Sequence, residues 1–208
     1  AKQVTGLPLI RRFMPFISPR RNDSLVLYGQ EIEADAALRF VEKFNAGRSE
    51  DSQITLFHLV LRSLALALHA YPGVNRFVSG GRLWQRDGTW ITFSAKQEIL
   101  PGSPLLTIKR EFPEGESLEG MMDAILDGVR SRRRGKKTTS DKEMGLADRL
   151  PPWVVRIAVW LLRKVDDFGL LPKAMIDDDP LFTSLFVANL GSVGLNAGYH
   201  HLWEYGSC

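Results

Sequence analysis

The chain has 208 residues, 44% hydrophobic and 25% charged, the make-up of a globular domain long enough to bury a core. Its formal charge of +3 is too small for nucleic-acid binding through overall charge, and no nucleic-acid partner is expected. The single cysteine, Cys208, excludes an internal disulfide and a thiolate zinc cluster, so the chain reads as a soluble cytoplasmic protein without a metal.

Along the chain, Ala1 to Phe16 is apolar and basic, but Pro8, Arg11, Arg12 and Pro15 interrupt it, so it reads as a folded or docking segment rather than a leader. Ser24 to Ile32 alternates with period two and predicts a strand. Asp35 is the expected cap of a helix carrying Leu38, Phe40, Val41 and Phe44, which Gly47 ends. Thr55 is the expected cap of a second helix, Leu56 to Ala70, apolar nearly all round and stopped by Tyr71-Pro72-Gly73. Arg82 to Trp84 and Thr89 to Ser94 read as strands joined in a tight hairpin through Asp87-Gly88, with a further strand at Leu105 to Lys109.

Helical spacing returns from Leu118 to Val129 and runs into a basic block, Arg130 to Lys137, with six basic residues in eight. That block suits a phosphate-bearing ligand, or the solvated end of a helix. Pro151-Pro152 opens another helix, with Trp153, Ile157, Trp160 and Leu161 on its apolar side, read as a core or subunit-contact helix with interfacial membrane binding as the alternative. No apolar run is long enough to span a bilayer, and a membrane partner is not expected. Asp177 to Asp179 before Pro180 reads as a turn leading into a last strand, Ser184 to Asn189. Helices and strands mixed without a strict βαβ rhythm predict an α+β fold, and no phosphate loop or dinucleotide fingerprint is present.

The chemistry-bearing residues are few. His58 and His69 lie on one helix without the i, i+4 spacing of a metal pair and read as structural. His200 and His201, followed by Leu202-Trp203-Glu204-Tyr205-Gly206, come close to the HHxxxDG signature of chloramphenicol acetyltransferases and condensation domains, with Tyr205 in the Asp position. No GxSxG elbow occurs.

Two segments are more specific. One runs from Leu27-Tyr28-x-x-Glu31-Ile32-x-Ala34 through Ile54-Thr55 to Tyr71-Pro72-x-x-Asn75; the other is Leu185 to Gly194, LFVANLGSVG. Together they resemble the E2-type acyltransferase catalytic core of 2-oxoacid dehydrogenases, whose strand and turn read FTISNLGxxG. The resemblance implies a chloramphenicol-acetyltransferase-like mixed sheet with flanking helices, a homotrimer with shared active sites, and CoA or acyl-CoA as substrate with no tightly bound cofactor. It further implies that Asn189, Gly191 and Ser192 lie at the substrate. A histidine in an HRxxDG motif would take the proton from the attacking thiol, because a thiol is mostly protonated at neutral pH.

No HRxxDG occurs here, so that histidine is expected beyond Cys208, with His201 and His200 as alternatives, and the chain reads as one domain, 1–208, incomplete at its C-terminus. Residues 130–180 read as a basic and amphipathic insertion within it. Ala188 stands where the family's oxyanion-binding serine would be. A CoA-dependent acyltransferase is the first expectation, and a non-catalytic trimeric scaffold of the same fold the second.

Overall fold

A computed structural model describes residues 1–18, 21–49, 52–96, 105–133, 150–194 and 198. It contains two three-stranded sheets and six α-helices among the described residues. The first sheet holds β1 (Lys2–Gln3), β2 (Arg76–Ser79) and β3 (Arg82–Gln85) in the order β1-β3-β2, all antiparallel. The second holds β4 (Trp90–Lys96), β5 (Leu105–Glu111) and β6 (Leu185–Val187) in the order β5-β4-β6, with β6 parallel to β4. The helices are α1 (Leu9–Ile17), α2 (Asp35–Asn45), α3 (Leu56–Ala70), α4 (Leu118–Arg133), α5 (Pro152–Asp167) and α6 (Lys173–Asp178). This is the α+β class expected from the sequence.

The core forms where α3 and α4 cover one face of the second sheet. Leu61, Ala65 and Leu68 recur at helical spacing on α3, and Met121 and Ile125 do so on α4. They close over Ile91 and Phe93 of β4, Ile108 of β5 and Phe112 just beyond it. Alternation along β4 puts Ile91 and Phe93 on this face. Each such large side chain contributes about 1.5–3 kcal/mol by leaving water. Thr92, across the strand, is also fully buried, so β4 is covered on both sides.

Four local expectations need correction. Residues 25–34 form no strand; Val26 and Tyr28 are 84% and 78% exposed, and no neighbouring strand takes up the backbone groups of this apolar alternation. The Asp87-Gly88 pair makes no hairpin, because β3 and β4 belong to different sheets. Asn75 determines that turn: its carbonyl accepts from Arg86 N (3.1 Å) and Gln85 Nε2 (2.9 Å), while its Nδ2 donates to the Gly88 carbonyl (2.9 Å). The hairpin lies instead between β2 and β3, where Gly80 and Gly81 stand at φ +57° and +68°, the pair of left-handed positions a two-residue turn requires. Asp35 is the first helical residue of α2 rather than its cap, which is Ala34. Asp177 and Asp178 end α6, and only Asp179 turns the chain, its Oδ1 accepting from Leu181 N at 2.8 Å.

Candidate functional site

The family-like turn is built on β6. Ser184 N donates to the Trp90 carbonyl (2.8 Å), Trp90 N donates to Ser184 Oγ (3.0 Å), and Thr183 Oγ1 donates to the same carbonyl (2.7 Å). These bonds fix β6 in parallel register, Leu185 beside Ile91 and Val187 beside Phe93. The chain then leaves the sheet through Ala188 and Asn189 into a single 3-10 turn, Leu190–Val193, closed by a bond from Gly194 N to the Gly191 carbonyl (3.1 Å). Gly191 and Ser192 therefore share one turn beyond the C-terminal end of β6, with Asn189 just before it. The Asn189 side chain folds over Gly191, where an added methyl would lie 3.5 Å from Asn189 Oδ1. Ala188 is exposed beside them and offers no hydrogen-bond donor from its side chain.

The histidines divide clearly. His58 Nδ1 accepts from Thr55 N (3.0 Å) and lies 2.9 Å from Thr55 Oγ1, so the imidazole closes a capping box at the start of α3. That role needs neutral imidazole with its proton on Nε2, and burial lowers the His58 pKa below its ordinary value. His69 Nε2 meets the Phe112 carbonyl at 2.8 Å and ties α3 to the end of β5. Both serve the fold, as their spacing suggested. His200 and His201 lie outside the described residues, as does Arg134 to Lys137 of the basic block; Arg130 to Arg133 continue α4. Among the described residues no three histidine, cysteine or acidic side chains come together as a metal site.

At the other end of β4, sequence reasoning missed a cleft of about 880 Å³ bounded by Phe77, Arg86, Trp90, Lys109 and Phe182. The Arg86 guanidinium stacks between Phe77 and Phe182, 4.8 and 4.2 Å from the ring centres. Lys109 Nζ donates to the carbonyls of Ile176 (2.9 Å) and Asp179 (3.0 Å) and sits 5.6 Å from the Trp90 ring centre. Glu111, Asp166 and Asp177 line the same cleft, so its charge is mixed. Lys109 thus ties the end of α6 to β5, and Arg86 ties Phe182, beyond α6, to Phe77 of β2. The available signal was strand alternation: on β5, Thr107, Lys109 and Glu111 share the face away from Ile108.

The described residues define an α+β protein whose central parallel pair, β4 and β6, ends in an Asn-x-Gly-Ser turn. Two solved structures are similar to it. One is a probable dihydrolipoamide acetyltransferase from Listeria monocytogenes 4b F2365, at 16% identity and a TM-score of 0.46, covering 68% of this chain and 60% of that one. The other is a truncated catalytic core of the 2-oxoacid dehydrogenase multienzyme complex from Thermoplasma acidophilum, at 14% identity and a TM-score of 0.43, covering 67% and 64%. The chain spans less than two thirds of the length of either. No family model matches it, and no curated protein does.

Proposed function

We propose that the chain belongs to a CoA-dependent acyltransferase, moving an acyl group between the CoA thiol and a thiol or other acceptor. The observation that most supports this reading is the Leu185 to Gly194 segment, a family-like strand and turn whose strand, β6, pairs with the buried central strand β4. In the proposed reaction the acceptor thiol, deprotonated by an imidazole as it attacks, adds to the acyl carbonyl of acyl-CoA. The tetrahedral oxyanion collapses, CoA leaves as its thiolate, and the same imidazole returns the proton to it. His58 and His69 already hold structural bonds, so in this reading the base is a histidine outside the described residues, in an HRxxDG motif expected beyond Cys208 or at His201 or His200. Substrate would meet the turn at Asn189, Gly191 and Ser192. A cytoplasmic homotrimer with sites between subunits belongs to the same reading.

One observation favours the second reading, a non-catalytic trimeric scaffold: Ala188 supplies no donor to an oxyanion. Loss of one such donor lowers turnover by about 10²–10³-fold. The two are separated by incubating the full-length protein with acetyl-CoA and dihydrolipoamide and following free CoA and the S-acetyl product by chromatography. An enzyme gives measurable turnover that rises roughly 100-fold in Ala188→Ser. A protein inactive both as wild type and as Ala188→Ser, yet trimeric by light scattering, is the scaffold. Loss of turnover in His201→Ala with His200→Ala active would assign the base to His201.

A further inference from the structure

Helix α1 divides its residues between two sides. Arg11, Arg12, Pro15 and Phe16 share the side turned toward β1 and β3, whereas Ile10, Met14 and Ile17 lie on the opposite one. The Phe16 ring rests on the hairpin at Gly81, where an added methyl would stand 3.0 Å from it. Between the helix and these strands a pocket of about 530 Å³ remains, lined also by residues 4–7, which link β1 to α1.

The charge of this pocket is one-sided. Arg11, Arg12 and Arg82 line it, and among the described residues no carboxylate does so. α1 itself carries no acidic residue. None of the three guanidiniums forms an ion pair or hydrogen bond with a described residue, whereas Arg48 and Arg110 each face a glutamate, Glu119 and Glu116. Thr5, Gly6 and Leu7 line the pocket too, and their amides donate to no described group. Three like charges gathered at one concavity repel one another, a cost that a bound anion removes.

The lining also indicates the class of anion. A guanidinium presents a planar fork of donors that matches the oxygens of a phosphate, and three of them suit a group of charge near −2 better than a single carboxylate. The volume falls within the roughly 300–1,000 Å³ of small-molecule sites and leaves room for more than a bare phosphate. Val4, Phe13, Phe16 and Leu83 give that room an apolar wall. We propose that the pocket between α1 and the first sheet binds a small phosphate ester, its phosphate held by Arg11, Arg12 and Arg82 and its apolar or aromatic portion against Phe13 and Phe16. No lining residue belongs to the Leu185 to Gly194 segment, so this site is separate from the acyl-transfer reading and does not rest on it.

The test is isothermal titration calorimetry of the full-length protein with phenyl phosphate, inorganic phosphate and benzoate. Phenyl phosphate is expected to bind, and more tightly than either of the others. Arg11→Gln/Arg82→Gln should weaken it about 100-fold, a factor of about ten for each charged hydrogen-bonding partner lost. Arg39→Gln, on α2 and outside the pocket, should leave it unchanged. Should the double variant unfold by circular dichroism, Arg12→Gln alone carries an expected loss of about 10-fold. Absence of phenyl phosphate binding overturns the proposal. So does binding that the pocket variants leave unchanged, or that Arg39→Gln weakens equally, which would make it an effect of overall charge. Benzoate bound as tightly as phenyl phosphate overturns the phosphate assignment, and inorganic phosphate bound as tightly overturns the apolar half of the site.

Discussion

Helices α3 and α5 are nearly equal in length and both strongly apolar, yet they end in opposite circumstances. α3 buries Leu61, Ala65 and Leu68 against the second sheet, and α5 buries nothing. The difference lies less in the amount of apolar surface than in where the cations sit. On α3, Arg62 is the only lysine or arginine, whereas α5 carries three, Arg156 and Arg163 on a narrow polar sector and Lys164 between Trp153 and Ile157.

The sharpest way to break this contrast is to remove matched side chains from the two regions. Phe93→Ala is expected to cost about 3–5 kcal/mol and Leu61→Ala about 2–5 kcal/mol in urea unfolding, since each leaves a cavity in close packing. Trp160→Ala, on a larger side chain, is expected to stay within about 0.5 kcal/mol, because most of its surface is already in water. A loss above about 2 kcal/mol at Trp160 in the monomer would erase the distinction.

Between these extremes stands Gly81→Ala. It places a Cβ at φ +68° and against Phe16, and is expected to cost about 1–2 kcal/mol by the same measurement. Unchanged stability would mean that α1 is held only loosely to the turn.

The smallest effect sharpens the packed side. The capping bond requires neutral His58, and burial lowers its pKa, so the unfolded chain binds the proton more readily. Its contribution is therefore complete above the ordinary imidazole value near 6.5 and is lost as pH falls below that value toward the lowered one. His58→Ala is expected to remove about 0.5–1 kcal/mol near pH ~8 and less near pH ~5, measured as paired unfolding curves. An equal loss at both pH values would discard the capping role.

Much of this was legible in the residues. Periodicity located α3, α4 and α5, because each repeats its apolar positions over three turns or more. Thr55 announced the start of α3, but no local signal says that a histidine will replace the usual Glu in its capping box. Asp87-Gly88 misled because a turn-forming pair specifies only a bend. Whether the flanking strands pair depends on Asn75, 13 positions before the Gly88 carbonyl that it holds. Residues 25–34 misled for the same reason: alternation describes a strand's faces without supplying its neighbour. The Asn189 to Gly194 turn was found through its likeness to a family motif, whereas Arg86 and Lys109 gave no comparable cue, since their partners are rings and carbonyls brought from distant segments.

The parallel pairing of β4 and β6 has a consequence for how the protein is made. Trp90 and Ser184 are bonded across 94 positions of chain. During synthesis the free edge of β4 therefore waits, with its amides and carbonyls open to any passing strand, until the ribosome has released residues 184–187. A chain stalled or cleaved before that point would retain most of its core residues yet carry an uncapped sheet edge, and should be far more prone to aggregate than one shortened within the first sheet's N-terminal strand.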